Sequence, residues 1–380
     1  MAKPPKNDLP LMSSDEGIVM FYPHVPRNAK AYVCDTLDSR WIGQGPKVEK
    51  FETAFRAKLA LPRPCVAVGS GTHALHLSYL LAGIKAGDEV LAPVFTCTAT
   101  NIPLLYIGAD IRFVDADPNT LNISIADLKS KISDRTRAIV CVHYGGLPCD
   151  MEAIGALASQ YGIPVIEDAA QALGASYAGV PIGAISDFTI FSFQAVKHLT
   201  TGNGGMLSLR DAGLEPKARR LRWFGIDRTQ KQKGTWENDI TEIGYKYEMS
   251  DIEAAIGLAG LEELDDTLAY RRSLYRRYVE NLRDQPHVKI IDDFNPVKSH
   301  AAWLFTIRVE RRMDCQLKLR SRRIESGQTH FRNDRYSIFG CSEEFPGMDA
   351  IDDNYLILPL HTKMSLADVD RICDVLREGW

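Results

Sequence analysis

The feature that most narrows the folds open to this chain is an alternation. From residue 65 to residue 193, short apolar runs take turns with segments of helical spacing. Residues 65–68, 89–93, 111–114, 138–142, 163–166 and 188–193 read as strands, and 73–81, 98–106 and 151–161 as helices between them. Strands that are apolar throughout, rather than at every second residue, are buried on both faces. Parallel strands need crossover connections, usually helices. The pattern therefore predicts an α/β fold: a mainly parallel, mixed sheet with helices on both faces. Ligands of such sheets gather beyond the carboxyl ends of the strands.

The flanks extend this picture. Helical spacing at 28–37 and at 48–59 (Val48, Phe51, Phe55, Leu59) precedes the first strand. An arginine-rich helix is expected after Gly205, then a polar loop at 227–240. Ser250 or Asp251 is placed to cap a helix carrying Ile252, Ile256 and Ala259. The apolar period continues through Leu261, Leu264, Leu268, Tyr275, Tyr278 and Leu282, long enough to link two domains. A strand at 302–309 and helices at 315–325 and 366–376 then indicate a smaller α+β domain. The expected division is a ligand-binding large domain with an N-terminal arm (1–260), followed by the linking helix and small C-terminal domain (261–380). Residues 1–20 are polar and proline-bearing, an arm held loosely.

At 380 residues, 45% hydrophobic and 25% charged, the chain has a globular composition. A formal charge of −4, with basic clusters only at 217–222 and 320–323, argues against nucleic acid as a partner. No apolar run reaches the roughly 18 residues of a membrane span, and Met1-Ala2-Lys3-Pro4-Pro5 lacks a signal core. The eight cysteines (34, 65, 97, 141, 149, 315, 341 and 373) include no Cys-x-x-Cys pair. That spacing predicts no metal site and fits a reducing, cytoplasmic setting.

Three places carry chemistry. The strand at 65–68 runs into Gly69-Ser70-Gly71-Thr72 and then into a helix. Free N–H groups and the helix dipole at such a turn suit a phosphate, although many turns of this kind bind nothing. Glu167-Asp168-Ala169-Ala170-Gln171 sets a carboxylate at a strand end, where Asp also serves as an ordinary N-cap. Lys197 lies between an apolar strand and the turn Thr200-Thr201-Gly202-Asn203-Gly204-Gly205. An amine in an apolar setting loses ammonium solvation and gains nucleophilicity, the requirement for a Schiff base. Alone, Lys197 is a loop lysine before a turn; it gains weight from the phosphate turn and carboxylate upstream. In the loop Arg40-Trp41-Ile42-Gly43-Gln44-Gly45-Pro46, Trp41 and Gln44 offer a substrate a flat apolar face and two-way hydrogen bonding, or form an ordinary connection.

Together these segments resemble the DegT/DnrJ/StrS family of sugar aminotransferases, which use pyridoxal phosphate (PLP) and belong to the fold-type-I aspartate aminotransferase class. The motifs stand in the family's order. Gly45-Pro46 with Phe51-Glu52 comes first, then Gly71-Thr72-His73-Ala74-Leu75 and Gly87-Asp88-Glu89-Val90. Val165-Ile166-Glu167-Asp168-Ala169-Ala170-Gln171 follows, then Phe191-Ser192-Phe193 with Lys197 and the glycine turn, and finally Leu358-Pro359-Leu360-His361. Each is weak alone; their shared order, over about 41–361, is specific. The resemblance implies that Lys197 carries PLP as a Schiff base and, once freed, shuttles a proton between substrate and cofactor carbons. It implies that Asp168 pairs with the pyridine nitrogen, that Gly71, Thr72 and Ser192 meet the phosphate, and that Gln171 meets the ring face or its hydroxyl. It also implies a homodimer with sites built from both subunits.

Three departures stand out. The aromatic that the family stacks on the ring falls at Cys97, with Phe95 nearby. The family's Gly-Tyr-Asn-Tyr-Arg-Met reads Gly244-Tyr245-Lys246-Tyr247-Glu248-Met249, placing Lys246 where the Asn reaches the partner subunit's phosphate. His330-Phe331-Arg332-Asn333-Asp334 replaces a His/Tyr/Pro pattern; His330 and Arg332 meet substrate phosphates, or Arg332 and Asp334 form a structural pair. The implied reaction moves an amino group from L-glutamate to a nucleotide-linked 3- or 4-keto-6-deoxy sugar, for surface polysaccharide or a glycosylated metabolite. One rival is the family's dehydratase branch, which has histidine in place of the lysine and finds a candidate in the neighbouring His198. The other is a non-catalytic regulatory homologue, against which Lys197 and Asp168 together speak.

Overall fold

A computed structural model describes residues 9–228, 230, 233–235, 237 and 239–380. Residues 1–8 of the expected arm, and 229, 231, 232, 236 and 238 of the expected polar loop, lie outside the described residues.

A seven-stranded sheet carries the fold. In chain order its strands are β1 (Cys65–Val68), β2 (Glu89–Pro93), β3 (Asp110–Val114), β4 (Thr136–Val142), β5 (Val165–Asp168), β6 (Phe188–Ser192) and β7 (Gly205–Leu209). Across the sheet they run β1-β7-β6-β5-β4-β2-β3. Strands β2 to β6 are mutually parallel, and β7 runs antiparallel to both its neighbours. This is the mixed, mainly parallel sheet that the alternation predicts. Successive residues feed different cores: Val165, Cys141 and Phe191 pack on one face with Phe51, Phe55 and Ile154. Ile166, Val140 and Ile190 pack on the other with Leu75, Leu77 and Leu104.

Strand β7 corrects the expectation of a helix directly after Gly205. Gly202 and Gly204, both at positive φ, turn the chain back so that β7 pairs with β6, and the arginine-rich helix starts only at Glu215. The long apolar period at 252–282 also divides, at Glu263, into helices Asp251–Glu262 and Leu264–Leu282. Leu264 and Leu268 pack in the large core, whereas Leu274, Tyr278 and Leu282 pack on a second sheet, so the latter helix spans two cores. That second sheet is antiparallel, β8 (Val288–Ile290), β9 (Phe305–Val309) and β10 (Tyr355–Leu358) in spatial order. Among the described residues no helix is long and apolar enough to cross a membrane.

Register sets the site. Asp168 ends β5 opposite Ile190, and Ser192 ends β6 opposite Gly205, which in turn pairs with Val68 before the 69–72 turn. A two-residue ladder pairs Phe331–Arg332 with Phe95–Thr96, bringing 330–334 to the end of β2.

Candidate active site

Lys197 occupies the turn after β6. Its Nζ lies over the Trp303 ring, 3.5 Å from the centroid. Burial pushes the amine down to about 8, while Asp168 and Cys97 pull it up and Arg271 pushes it further down. Such an amine is partly neutral near physiological pH and so can act as a nucleophile. His198 turns the other way: its Nε2 bonds the Ala301 carbonyl at 2.9 Å, in the core. The site thus receives the lysine and not the neighbouring histidine.

Asp168 is 4% exposed. The Thr100 hydroxyl donates to its Oδ2 (2.8 Å) and the Ala170 N–H to its Oδ1 (3.0 Å). Thr96 Oγ1 stands 2.9 Å from Thr100 Oγ1. With the Thr100 hydrogen committed to Asp168, Thr96 is the donor of that pair. Burial raises the Asp168 carboxyl above the usual carboxylate range; the two donors and the Lys197 charge oppose it. The preceding residue anchors the strand end. Glu167 accepts from His143 Nε2 (2.8 Å), the Ser186 N–H (3.0 Å) and the Thr189 hydroxyl (3.2 Å). Because the Cys149 N–H donates to His143 Nδ1 (3.1 Å), the imidazole proton lies on Nε2, toward Glu167.

The expected phosphate turn leads into helix Gly71–Leu81, capped by Ser70, whose Oγ accepts the His73 N–H at 3.1 Å. The first N–H groups of a helix have no partner inside it, which leaves those of Gly71 and Thr72 available to an anion. A Cβ on Gly71 would stand 2.9 Å from Ser192 Cβ. The glycine therefore lets the helix end and the Ser192 side chain meet.

Gln171 Oε1 accepts the Gly145 N–H (2.7 Å), so its amide nitrogen is the donor facing His330 Nε2 at 3.1 Å. His330 is then an acceptor at Nε2 and neutral, in line with burial and the Lys197 charge pushing it to about 3. His330 also stacks beside Trp303, centroids 6.0 Å apart. Gln171, His330, Trp303, Lys197 and Asp168 thus form one cluster. The sequence reading missed Trp303 and the Thr96–Thr100 pair.

Other candidates fall elsewhere. Phe95 is 2% exposed and packs on Tyr144 and Tyr355, both at 5.3 Å between centroids. Cys97 is exposed and faces Lys197 electrostatically. Of the two, Cys97 is the one on the open side. Arg332 is held by both oxygens of Asp334 (2.8 and 2.9 Å) and by Asp349. That is the structural-pair alternative, with two carboxylates already occupying the guanidinium. Trp41 and Gln44 line a cleft of about 770 Å³, and Lys197, Asp168 and His330 do not line it. Lys246 pairs with Glu248 and lies over the Trp223 ring at 3.7 Å. Arg228 lies over that same ring at 5.0 Å and donates to the Gln44 carbonyl (3.2 Å). Lys246 and the Trp41–Gln44 loop therefore belong to one continuous surface.

A family model described as the DegT/DnrJ/EryC1/StrS aminotransferase family matches residues 24–377. The spore coat polysaccharide biosynthesis protein SpsC of Bacillus subtilis is 36% identical over 363 residues, 91% of this chain and 92% of SpsC. The sugar aminotransferase CalS13 from Micromonospora echinospora matches with a TM-score of 0.91 at 33% identity, over 96% of this chain and 100% of that one. The PLP-form of Spr1654 from Streptococcus pneumoniae matches with a TM-score of 0.88 at 27% identity, over 95% and 98% of the two chains.

Proposed function

The chain belongs to the DegT/DnrJ/EryC1/StrS aminotransferase family, and from that membership we propose that it uses PLP to move an amino group from L-glutamate to a nucleotide-linked keto-deoxy sugar. The observation that carries the reading is the shared setting of Lys197 and Asp168: a desolvated amine within electrostatic reach of a buried carboxylate held by two donors. The residues present fit PLP. Asp168 suits the pyridinium N–H, the Gly71-Thr72 helix end with Ser192 suits the phosphate, and Lys197 suits the aldehyde carbon. When bound, the cofactor supplies an aldehyde that takes up the amino group and a ring that draws electrons from the reacting carbon.

The chain's own residues do the rest. Lys197, with an amine near 8, accepts a proton from the donor's α-carbon and returns one to the acceptor. Thr100 and Ala170 keep Asp168 ionised and aimed. Gln171 and His330 present fixed, neutral polar groups beside the amine. The name of SpsC supports a product destined for polysaccharide. The orientation of His198 weighs against the dehydratase alternative.

The proposed enzyme is a cytoplasmic homodimer with shared sites. Lys246 then serves the partner's phosphate, and because it shares a surface with Gln44 and Trp41, that loop reaches the same sugar-nucleotide site.

The absorption spectrum tests the reading. With PLP the protein acquires a visible band; L-glutamate bleaches it, and a nucleotide-linked keto sugar restores it. A band that glutamate leaves intact rules out the donor, and the absence of any band with added PLP removes Lys197 from its role.

A further inference from the structure

We infer that Trp303 is the seat of the Lys197 amine whenever that amine is free, its ring face holding the ammonium where no carboxylate does. The inference rests on the reading of Lys197 as the cofactor lysine and goes beyond it to a second residue. Nζ lies 3.5 Å from the ring centroid, close for a cation–π contact. Among the described residues no salt bridge joins Nζ to a carboxylate; Asp168 acts on it only through space, its own oxygens being engaged by Thr100 and Ala170.

The ring is built into place. Trp303 is 3% exposed. Its backbone N–H donates to the Gly145 carbonyl (3.0 Å), and its carbonyl accepts from Arg271 Nη2 (2.8 Å). Its indole Nε1–H donates to the carbonyl of Val196 (3.0 Å), the residue before Lys197. Phe21 and His330 lie roughly parallel to the ring, each with its centroid 6.0 Å away. Ring and lysine turn are thus tied through Val196, so the face stays under the amine.

Such a seat does two things. It parks the freed amine clear of Asp168, leaving that carboxylate for the cofactor ring. It also favours the ammonium, offsetting part of the burial that depresses it, so that the amine keeps a proton to hand over. The charged and titratable groups facing Nζ are Asp168, Cys97, Arg271 and His330, with His198 next in the chain. Burial holds His198 and His330 neutral, His330 at about 3. Around the Lys197 midpoint near 8 the amine is then the group followed, and replacing Cys97 removes the thiol whose charge acts on it.

The test is the pH dependence of the rate at which the apoprotein captures PLP, read from the visible band in a Cys97→Ser background. Only the neutral amine attacks the aldehyde, forming the C=N bond with loss of water, so the rate rises with pH through the amine's pKa. Trp303→Phe and Trp303→Leu both lose the indole N–H to Val196, and only the first keeps a ring face. The expected result is a midpoint in Trp303→Leu lower than in Trp303→Phe by about half a unit to one and a half units. Equal midpoints overturn the inference, since a merely structural role would slow both variants without separating them. Should the variants fail to fold, ¹³C-methylation of the lysines in the native apoprotein decides the matter. The Lys197 signal, identified by its loss in Lys197→Arg, is expected upfield from the indole ring current; an unshifted signal overturns the seat. If instead the cofactor reading is wrong, native protein captures no PLP at any pH, and the ring-current measurement still judges the seat.

Discussion

In the proposed role, Asp168 has to stay ionised inside the protein to hold a protonated pyridine ring, and burial works against it. Among the described residues, only the Thr100 hydroxyl and the Ala170 N–H donate to its carboxylate oxygens. Thr100→Val keeps the shape and removes one donor to a charged group, an interaction of about 1.5–3 kcal/mol. PLP affinity is expected to fall by roughly ten- to a hundredfold. The pH effect has a definite sign. Losing a donor raises the Asp168 carboxyl further, so the acid limb of kcat/KM moves to higher pH, while Thr100→Ser restores both affinity and limb. An unchanged acid limb in Thr100→Val, measured by steady-state rates across pH, removes Thr100 from this role. At this scale the sequence was partly legible. Lys197 and Asp168 were readable because each stands in a local pattern of strand end and turn. Thr100 and Trp303 were not, because their partners lie 68 and 107 residues away along the chain. No local period marks such pairs.

Among the elements, close approaches of backbone decide where the site opens. Helix Gly71–Leu81 starts against the ends of β6 and β7, at glycines on both sides. A Cβ on Gly205 would lie 2.5 Å from the Ser70 carbonyl oxygen, which backbone cannot yield cheaply. Gly205→Ala is expected to cost about 1–3 kcal/mol in urea unfolding. A Cβ on Gly71 would instead meet Ser192 Cβ at 2.9 Å, at a helix start where Ala is otherwise favourable. Gly71→Ala is therefore expected to weaken PLP retention while lowering the apoprotein melting temperature less than Gly205→Ala does; a lower melting temperature with full PLP retention would mean that the Gly71–Ser192 contact serves stability alone. The capping residues show how far element reading goes. Ser250 caps its own helix through a capping box with Glu253. Asp251, equally suited by type, accepts the N–H groups of Gly45 (2.8 Å), Lys47 (3.1 Å) and Val48 (3.1 Å), capping helix Pro46–Lys58 and fixing the base of the Trp41–Gly45 loop. Residue type offered two candidates for one cap; only the fold shows that the two serve different helices. The buried parallel strands were legible from their unbroken apolar runs. Strands β7, β8 and β10 escaped because short antiparallel strands are defined by the partner they pair with rather than by their own pattern.

At the scale of the molecule, two surfaces of one chain have to be reconciled. Lys197, Asp168, Gln171 and His330 cluster with Trp303, while Trp41, Gln44 and Lys246 belong to another face. Tyr247 ties that second face to the phosphate turn of its own chain: it stacks on His73 at 4.0 Å and gives its carbonyl to the Gly69 N–H (2.8 Å). Lys246, its neighbour, points instead over Trp223. A side chain that leaves the local turn and stays more than half exposed, at 56%, is within reach of a second copy, which would compete with Glu248 for its ammonium. Complementation separates service in trans from service in cis. Lys197→Ala alone and Lys246→Ala alone are expected to be inactive or severely impaired. In a two-fold dimer with shared sites, a refolded equal mixture makes half of its dimers mixed, and each mixed dimer has one site with both lysines intact. Activity should then return to about a quarter of the native value. If Lys246 serves the site of its own chain, every site in the mixture lacks one lysine and no activity returns. A Lys246→Ala variant with native activity would remove the residue from the site altogether, leaving the Trp223 surface to bind the sugar nucleotide or the second subunit without it.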